Sequence, residues 1–289
     1  MVGCHSDVCS SCVWLAHRRS DSLLAKALYA ESHSPKIIVF FSSQDGFHNK
    51  LLDKFHDTKH KISSAGVAIG QLGLPHHGMR WVVFVRPVAC PDPAPILDGL
   101  RVEFCVALSV LLDTVSAPLL EGWAELDRAS KTTGKQTEED SERGEKLNDL
   151  TDYGLLPKEA TGLLSKGFEK VAGSVFDALG AARAELLLFW MRQQGAREGV
   201  VDLSRKHDPV HLDATLPDSR GKKLYVRESG KLAIVLSPYH VLSAFGYSPA
   251  VHNIAVASFS TAELVATKAI PFNVVFSGFL ACAKVLRSS

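Results

Sequence analysis

SPKIIVFFSSQDGFHNKLLDKFHDTKH, residues 34–60, carries the strongest signal for the fold class. Its compact apolar run at 37–41 is typical of a β-strand that is buried on both faces. The serines, aspartate and glycine of 42–46 are turn residues that also cap helices. Apolar residues then recur at helical spacing as far as Phe55. The stretch therefore predicts a strand, a loop and a helix in succession.

A second compact apolar run, WVVFVRPV at 81–88, follows a glycine-rich connection and predicts another buried strand. Two buried strands that bracket a helix are typical of a βαβ unit, in which the strands are parallel and the crossover is right-handed. We therefore predict a βαβ unit near the N-terminus of the chain.

Two long helices are predicted in the middle of the chain. Apolar residues over 97–126 recur every three or four positions, and Pro118 is expected to kink that helix because it removes a backbone hydrogen bond. A second helix is predicted over 157–194. The charged stretch 128–149 between them has no apolar period, which predicts an exposed linker. The two helices predict a long helical hairpin at 96–195.

The last third of the chain predicts more strands. KLYVRESGKLAIVL (223–236) has two alternating stretches around a Ser-Gly turn, which predicts a β-hairpin. The runs at 252–260 and 271–286 predict further strands, or a strand and a helix. We expect the C-terminal strands to share one mixed sheet with 36–42 and 81–87. The predicted fold class is α+β (mixed α/β).

The composition is that of an ordinary globular protein. Of the 289 residues, 46% are hydrophobic and 22% are charged, which argues against a largely disordered chain. We predict an irregular segment at 1–20 and a single α+β domain at 21–289. The formal net charge of +1 gives no overall field to attract nucleic acid, so we expect no nucleic-acid partner. We expect a protein partner or a homo-oligomer, with a membrane surface as the alternative.

Neither a secretory signal nor a transmembrane helix is predicted. Asp7 interrupts the N-terminal region, and no uncharged apolar stretch of 18 residues exists. The six cysteines are too sparse for a secreted disulfide scaffold, so we expect a reducing, cytoplasmic environment.

The N-terminal segment CHSDVCSSC, residues 4–12, contains one C-x-x-C pair. Thiolates at this spacing can bind zinc, and a closed structural site needs four ligands. The candidate ligands are Cys4, Cys9, Cys12 and His17. Because no second C-x-x-C or H-x-x-x-H pair follows at the usual spacing, an unliganded terminus and a redox or acylation site stay open as alternatives. We expect no cofactor, with zinc at this segment as the alternative.

A ligand pocket is predicted at the loop after the first strand. In open α/β sheets, ligands bind beyond the carboxyl ends of the strands, where helix N-termini offer N–H groups to anions. The candidate ligand-binding residues are Ser42, Ser43, Gly46 and Arg86. The candidate catalytic residues are Asp45, His48, His76 and His77. The alternative is that the loop residues only cap the following helix.

His207 and His211 are four residues apart, a spacing at which two histidines on one helix can share a metal ion. Pro209 lies between them and argues against that helix. We therefore do not predict a metal site at this pair.

Three functions stay open. The first is a non-catalytic protein-binding or assembly subunit that acts through the helical hairpin. The second is an α/β enzyme or small-anion binder, resembling a hydrolase in chemistry, that uses the loop after the first strand. The third is association with membranes through the amphipathic helix at 157–194. Whether the chain is an enzyme is left open.

Overall fold

A computed structural model gives the positions of the helices and strands. The described residues are 37–43, 49, 59–132, 163, 169–170, 178–203, 211–217, 222–229, 231–248 and 270–288. In chain order their elements are β1 (Ile38–Ser42), β2 (His60–Ala68), a 3-10 helix (Ile69–Leu72), β3 (His76–His77), β4 (Met79–Pro87), α1 (Ala94–Asp98), α2 (Leu108–Leu112), α3 (Ala117–Thr132), β5 (Glu169–Lys170), α4 (Ala178–Gln194), β6 (Glu198–Asp202), β7 (Leu216–Pro217), β8 (Lys223–Arg227), β9 (Leu232–Val235), α5 (Pro238–Ala244) and α6 (Phe272–Ser288). Helices and several sheets occur together, so the predicted α+β class is confirmed.

The described residues fall into two compact units. The first contains those up to Leu74, those of 78–105 and those of 270–288. The second contains 75–77 and the described residues from Val106 to Ser248.

The first unit is built on a three-stranded sheet in the order β1-β4-β2. The central strand β4 is almost fully buried over 82–85, which explains its continuous apolar sequence. Both β1 and β4 lie where the apolar runs predicted strands. The predicted parallel βαβ unit is wrong, because β1 pairs with β4 antiparallel, with Ile38 opposite Val85.

The strand β2 explains this difference. It pairs antiparallel with the other edge of β4 along its whole length, from His60 opposite Pro87 to Ala68 opposite Met79. Its sequence, HKISSAGVA, is poor in large apolar residues and therefore did not predict a strand. The helix that was predicted around Phe47 to Phe55 lies outside the described residues, apart from Asn49.

The helix α6 packs on the face of this sheet that carries Phe41 and Val82. Gly278 permits the close approach, since a Cβ atom there would lie 3.0 Å from the Phe41 ring and 3.3 Å from a Val82 methyl group. Asn273 Nδ2 also donates a hydrogen bond of 2.7 Å to the carbonyl of Leu72, at the end of the 3-10 helix. The run at 271–286, for which strands were one alternative, is therefore a helix.

The predicted helix over 97–126 is wrong as one continuous element. Residues 101–107 are not helical, because the N–H of Val102 donates to Gln71 and the Cys105 thiol donates to Gly70 instead. Pro118 lies in the first turn of α3, where its missing N–H costs nothing, and it begins a helix rather than kinking one. α3 continues to Thr132, so it includes the first residues of the predicted linker, whose remainder lies outside the described residues.

The second unit contains a four-stranded sheet in the order β5-β9-β8-β6. β8 and β9 form the antiparallel hairpin that their alternating sequence predicted. The hairpin does not join β1 and β4 in one sheet, so that prediction is wrong. The run predicted as a strand at 252–260 lies outside the described residues.

α4 covers the four-stranded sheet, and its buried residues form an apolar core with β6, β8 and β9. The predicted helix at 157–194 is wrong as one element, because Glu169–Lys170 pairs parallel with β9 and α4 begins only at Ala178. The long helical hairpin is therefore not found in the described part of 96–195. Across the described residues, no helix has both the length and the apolar character needed to span a membrane.

Candidate interaction surface

The helix α6 has two apolar faces. One face points into the first unit and contains Val274, Val275, Ala281, Cys282 and Val285, all buried. These positions lie on one side of a helix with 3.6 residues per turn. Burial, and to a smaller extent the nearby Cys90 thiol, raises the pKa of the Cys282 thiol to about 12. Cys282 is therefore uncharged at neutral pH, and Ser277 is the one polar side chain among the described buried residues of α6.

The other face of α6 is exposed and also apolar. Phe272 is 39% exposed, Phe276 54%, Phe279 38% and Leu286 37%. Their spacing is four, three and seven residues, and exposed Ala283 divides the last interval into four and three. These five residues, which we name the α6 stripe, therefore follow the alternating 4-3 repeat of a helix-pairing seam.

Contacts within the first unit fix the orientation of the stripe. The rings of Phe272 and Phe276 stack at 6.0 Å with 19° between their planes. Phe279 contacts Phe41 of β1 edge-on at 6.1 Å, so its ring is held against the sheet while part of it faces outward. The exposed aromatic rings are thus held in place before any partner binds.

The charges on α6 are confined to its last turns. Lys284 and Arg287 are its two charged residues, and no acidic residue occurs between Phe272 and Ser288. Cations near a helix C-terminus interact favourably with the helix dipole. The N-terminal two thirds of the stripe therefore present an uncharged aromatic surface.

The predicted ligand pocket does not form from Ser42 and Arg86. Ser42 pairs with Trp81 at one end of β4, whereas Arg86 pairs with Lys61 near the other end. The two positions on β4 are five residues apart, which is about 17 Å at 3.4 Å per residue. The prediction assumed parallel strands, and antiparallel pairing places the two residues at opposite ends. Ser43 directly follows Ser42 and is exposed.

Arg86 instead holds the loop that follows β4. Its guanidinium donates a short hydrogen bond to the carbonyl of Cys90 and lies 3.8 Å from the Asp92 carboxylate. Asp92 Oδ1 also accepts hydrogen bonds from the Ser63 hydroxyl at 2.6 Å and from the N–H of Ala94 at the start of α1. We name Arg86, Asp92 and Ser63 the Arg86 cluster. Most of its polar groups bind one another or the carbonyl of Cys90, while Arg86 Nε is buried without a hydrogen-bond partner among the described residues.

The two adjacent histidines of β3 point in opposite directions, as neighbouring residues of a strand must. His76 is buried with its ring 5.0 Å from Phe245. His77 is exposed, and its Nε2 lies 3.0 Å from Asp213 Oδ2. The other predicted site residues lie outside the described part of the chain: Cys4, Cys9, Cys12, His17, Asp45, Gly46 and His48.

The sequence contained the signal for the α6 stripe, but a second pattern obscured it. PFNVVFSGFLACAKVL is apolar at nearly every position because the buried and the exposed faces both are. Two overlapping helical periods then resemble the continuous run of a buried strand. Neither Asp213 nor His211 is a site residue in the prediction from the sequence, and His207, the partner of His211 at helical spacing, lies outside the described residues.

No protein-family model matches this chain, and no curated protein matches its sequence.

Proposed function

We propose that this chain is a non-catalytic assembly subunit that associates with a second copy of itself through the α6 stripe. The observation that carries the proposal is the exposed apolar 4-3 repeat of Phe272, Phe276, Phe279, Ala283 and Leu286. A contiguous exposed apolar surface of this kind typically marks a site of association. The interface differs from the hairpin first expected, but the class of function is the same.

The 4-3 spacing favours a helix as the element that covers the stripe. Apolar residues that average 3.5 positions apart keep one seam facing a partner helix, whose side chains then fit between them. α6 has 17 residues and is about 25 Å long, which is enough for two heptads.

The charges favour a second α6 in antiparallel orientation. Two parallel copies would place both Lys284 side chains and both Arg287 side chains at the same end of the pair. An antiparallel pair separates these basic ends by roughly the length of the helix and sets each beside the uncharged aromatic half of its partner. The chain's net charge of +1 adds little repulsion between copies.

The expected dimer is weak. Burial of a large apolar side chain contributes about 1.5 to 3 kcal/mol, and here each side chain is already partly buried. The contact would lie at the low end of known interface sizes, and association itself costs several kcal/mol. We expect a dissociation constant in the micromolar range.

Sedimentation velocity tests this proposal. The wild-type chain should change from monomer to dimer over a concentration series that starts in the low micromolar range. Phe276→Glu places a charge at the centre of the stripe and should keep the chain monomeric. Phe104→Glu is the matched control, because Phe104 is 74% exposed and lies outside α6, so it should leave the dimer intact. Circular dichroism of both variants verifies that they fold.

Two outcomes would overturn self-association. One is a wild-type chain that stays monomeric at the highest concentration. The other is a dimer that Phe276→Glu leaves unchanged, because the interface would then lie elsewhere. Aromatic side chains combined with Lys284 and Arg287 are also typical of helices that lie in a membrane surface. If the wild-type chain stays monomeric and floats with anionic vesicles, and Phe276→Glu does not float, then the partner of the stripe is a membrane surface rather than a second copy.

A further inference from the structure

Three side chains of the second unit that are distant in sequence come together in space. They are His77 of β3, His211 beside β6, and Asp213, which precedes β7; we name them the His77 cluster. One potential ligand atom from each lies within 4.8 Å of the corresponding atoms of the other two. His77 Nε2 is 3.0 Å from Asp213 Oδ2, and the two imidazole rings are 5.1 Å apart between centroids.

Backbone hydrogen bonds fix the positions of the two histidines. β3 pairs parallel with β7, which sets His76 and His77 beside Leu216 and Pro217. His211 exchanges two hydrogen bonds of 2.9 Å with Val200 of β6. Gly199 leaves space for this contact, because a Cβ atom there would lie 3.2 Å from the carbonyl oxygen of His211.

The turn at residues 212–213 separates a core side chain from two polar ones. Leu212 packs against the apolar core of the second unit, whereas the ligand atoms of His211 and Asp213 lie beside that of His77. His77 and Asp213 have side chains 53% and 54% exposed, so ions and water reach the cluster directly. A buried ion pair would not offer this access.

The Asp213 carboxylate is oriented by a neighbouring residue. Its Oδ1 accepts hydrogen bonds from the Thr215 hydroxyl at 2.8 Å and from the Thr215 N–H at 3.3 Å, while Oδ2 faces His77. Partial burial raises the pKa of Asp213, but the hydrogen bonds from Thr215 and the interaction with His77 outweigh it, and the pKa is lowered. Such outer hydrogen bonds are typical partners of metal-binding carboxylates.

The backbone at the cluster is in an uncommon conformation. Ala214, between Asp213 and Thr215, has φ of 51°, in the left-handed region that residues with a Cβ atom rarely adopt. This turn lets Asp213 face the histidines while Leu216 continues into β7. A strained residue inside a turn that aims ligand atoms is typical of binding sites.

From these observations we propose that His77, His211 and Asp213 bind a divalent transition-metal ion, with Zn²⁺ as the natural occupant. Two imidazole nitrogens and one carboxylate oxygen form a donor set that zinc prefers. Ligand atoms around a tetrahedral zinc ion lie about 3.3 Å apart at bond lengths of 2.0–2.1 Å. The 3.0 Å pair is already near this spacing, and the ligand atom of His211 lies within 4.8 Å of both members of that pair.

The site would supply three protein ligands and leave a position for water. Structural zinc sites have four protein ligands, whereas three ligands and an open position are typical of sites at which the metal activates water or binds an anion. Because a metal-bound imidazole nitrogen carries no proton, the ion would replace the hydrogen bond between His77 Nε2 and Asp213 Oδ2 with two metal–ligand bonds. The site is independent of the α6 stripe, which belongs to the first unit.

Calorimetric titration with zinc chloride tests the proposal on the full chain. The chain carries Cys4→Ser, Cys9→Ser and Cys12→Ser, so that the N-terminal thiols do not contribute. We expect one ion per chain. Loss of a residue that only orients a metal ligand typically weakens metal binding roughly 10- to 100-fold, and we expect a loss of that size in Thr215→Val. His211→Ala and Asp213→Asn, which keeps the shape of the side chain, should each weaken zinc binding by more than that.

His60→Ala is the matched control, because His60 lies on β2 of the first unit. This variant should bind zinc as tightly as the parent chain. Saturation with Co²⁺ should also give visible absorption of a tetrahedral site in the parent chain and in His60→Ala. The proposal is overturned if the parent chain binds no zinc at micromolar concentrations. It is equally overturned if Asp213→Asn binds as tightly as the parent. If His211→Ala does not fold, Asp213→Asn still tests the proposal, because it alters only an exposed side chain.

Discussion

The Arg86 cluster and the His77 cluster contain similar chemical groups and use them differently. In the Arg86 cluster the Asp92 carboxylate faces Ser63, the N–H of Ala94 and a largely buried guanidinium, so the protein itself satisfies it. In the His77 cluster the Asp213 carboxylate is held by Thr215 on one oxygen and faces exposed imidazoles with the other. Internal pairing therefore stabilises a loop, whereas one oriented and accessible oxygen forms a binding site.

The largest expected effect concerns the Arg86 cluster. Arg86→Ala should lower the free energy of unfolding by about 2 kcal/mol, because it removes the donor to the Cys90 carbonyl and the cation beside Asp92, whose hydrogen bonds from Ser63 and Ala94 remain. Urea unfolding followed by circular dichroism measures this change.

Arg101→Ala is the matched control for Arg86→Ala. Arg101 forms an ion pair of 2.8 Å with Asp98, but both side chains are well exposed, so we expect a loss of less than about 0.5 kcal/mol. Equal losses in the two variants would show that Arg86 does not hold the loop, and the contrast between the two clusters would disappear.

Prediction from the sequence succeeded where a pattern is local. The runs at 37–41 and 81–88 contain real strands, and the period-two alternation of 223–236 is a real hairpin. Strand direction is not local, because it depends on β2, whose serines and glycine give no apolar signal. The parallel prediction, and the pocket of Ser42 and Arg86 that followed from it, failed for this reason.

The His77 cluster could not be predicted for a related reason. His77 is more than 130 positions from His211 and Asp213, and only the pairing of β3 with β7 and of His211 with Val200 brings them together. A local signal existed in His211-Leu212-Asp213, in which a core residue separates two ligand types. The helical spacing of His207 and His211 points away from this signal, because residues 212–213 form a turn rather than part of a helix.

The second expected effect concerns the backbone conformation of Ala214, beside Asp213 of the His77 cluster. Ala214→Gly should raise the free energy of unfolding by about 1 kcal/mol, because glycine adopts φ of 51° without the steric cost that alanine has. Zinc affinity should fall or stay the same, since the turn that aims Asp213 becomes less rigid. Urea unfolding and zinc titration of the same variant measure both quantities. A loss of stability would mean that the turn at Ala214 carries no strain.

The smallest expected effect links the Arg86 cluster to the buried face of α6. The loop held by Arg86 carries Cys90, and Cys282 lies near enough to it for the Cys90 thiol to add to the effect of burial, which raises the pKa of Cys282 to about 12. A raised pKa means that the folded chain disfavours the thiolate. The contribution of Cys282 to stability is therefore complete below the ordinary thiol pKa near 9 and declines as the pH rises from 9 towards 12.

Between pH 8 and pH 9.5 the wild-type chain should lose about 0.8 kcal/mol more of its unfolding free energy than Cys282→Ala. The difference between the two chains isolates Cys282, because lysines and tyrosines titrate equally in both. Iodoacetamide labelling at pH 8 provides an independent check: the exposed Cys105 should react quickly and Cys282 only after unfolding. If Cys282 reacts as fast as Cys105, then α6 does not bury this face, and its outward stripe loses the rigid support on which self-association depends.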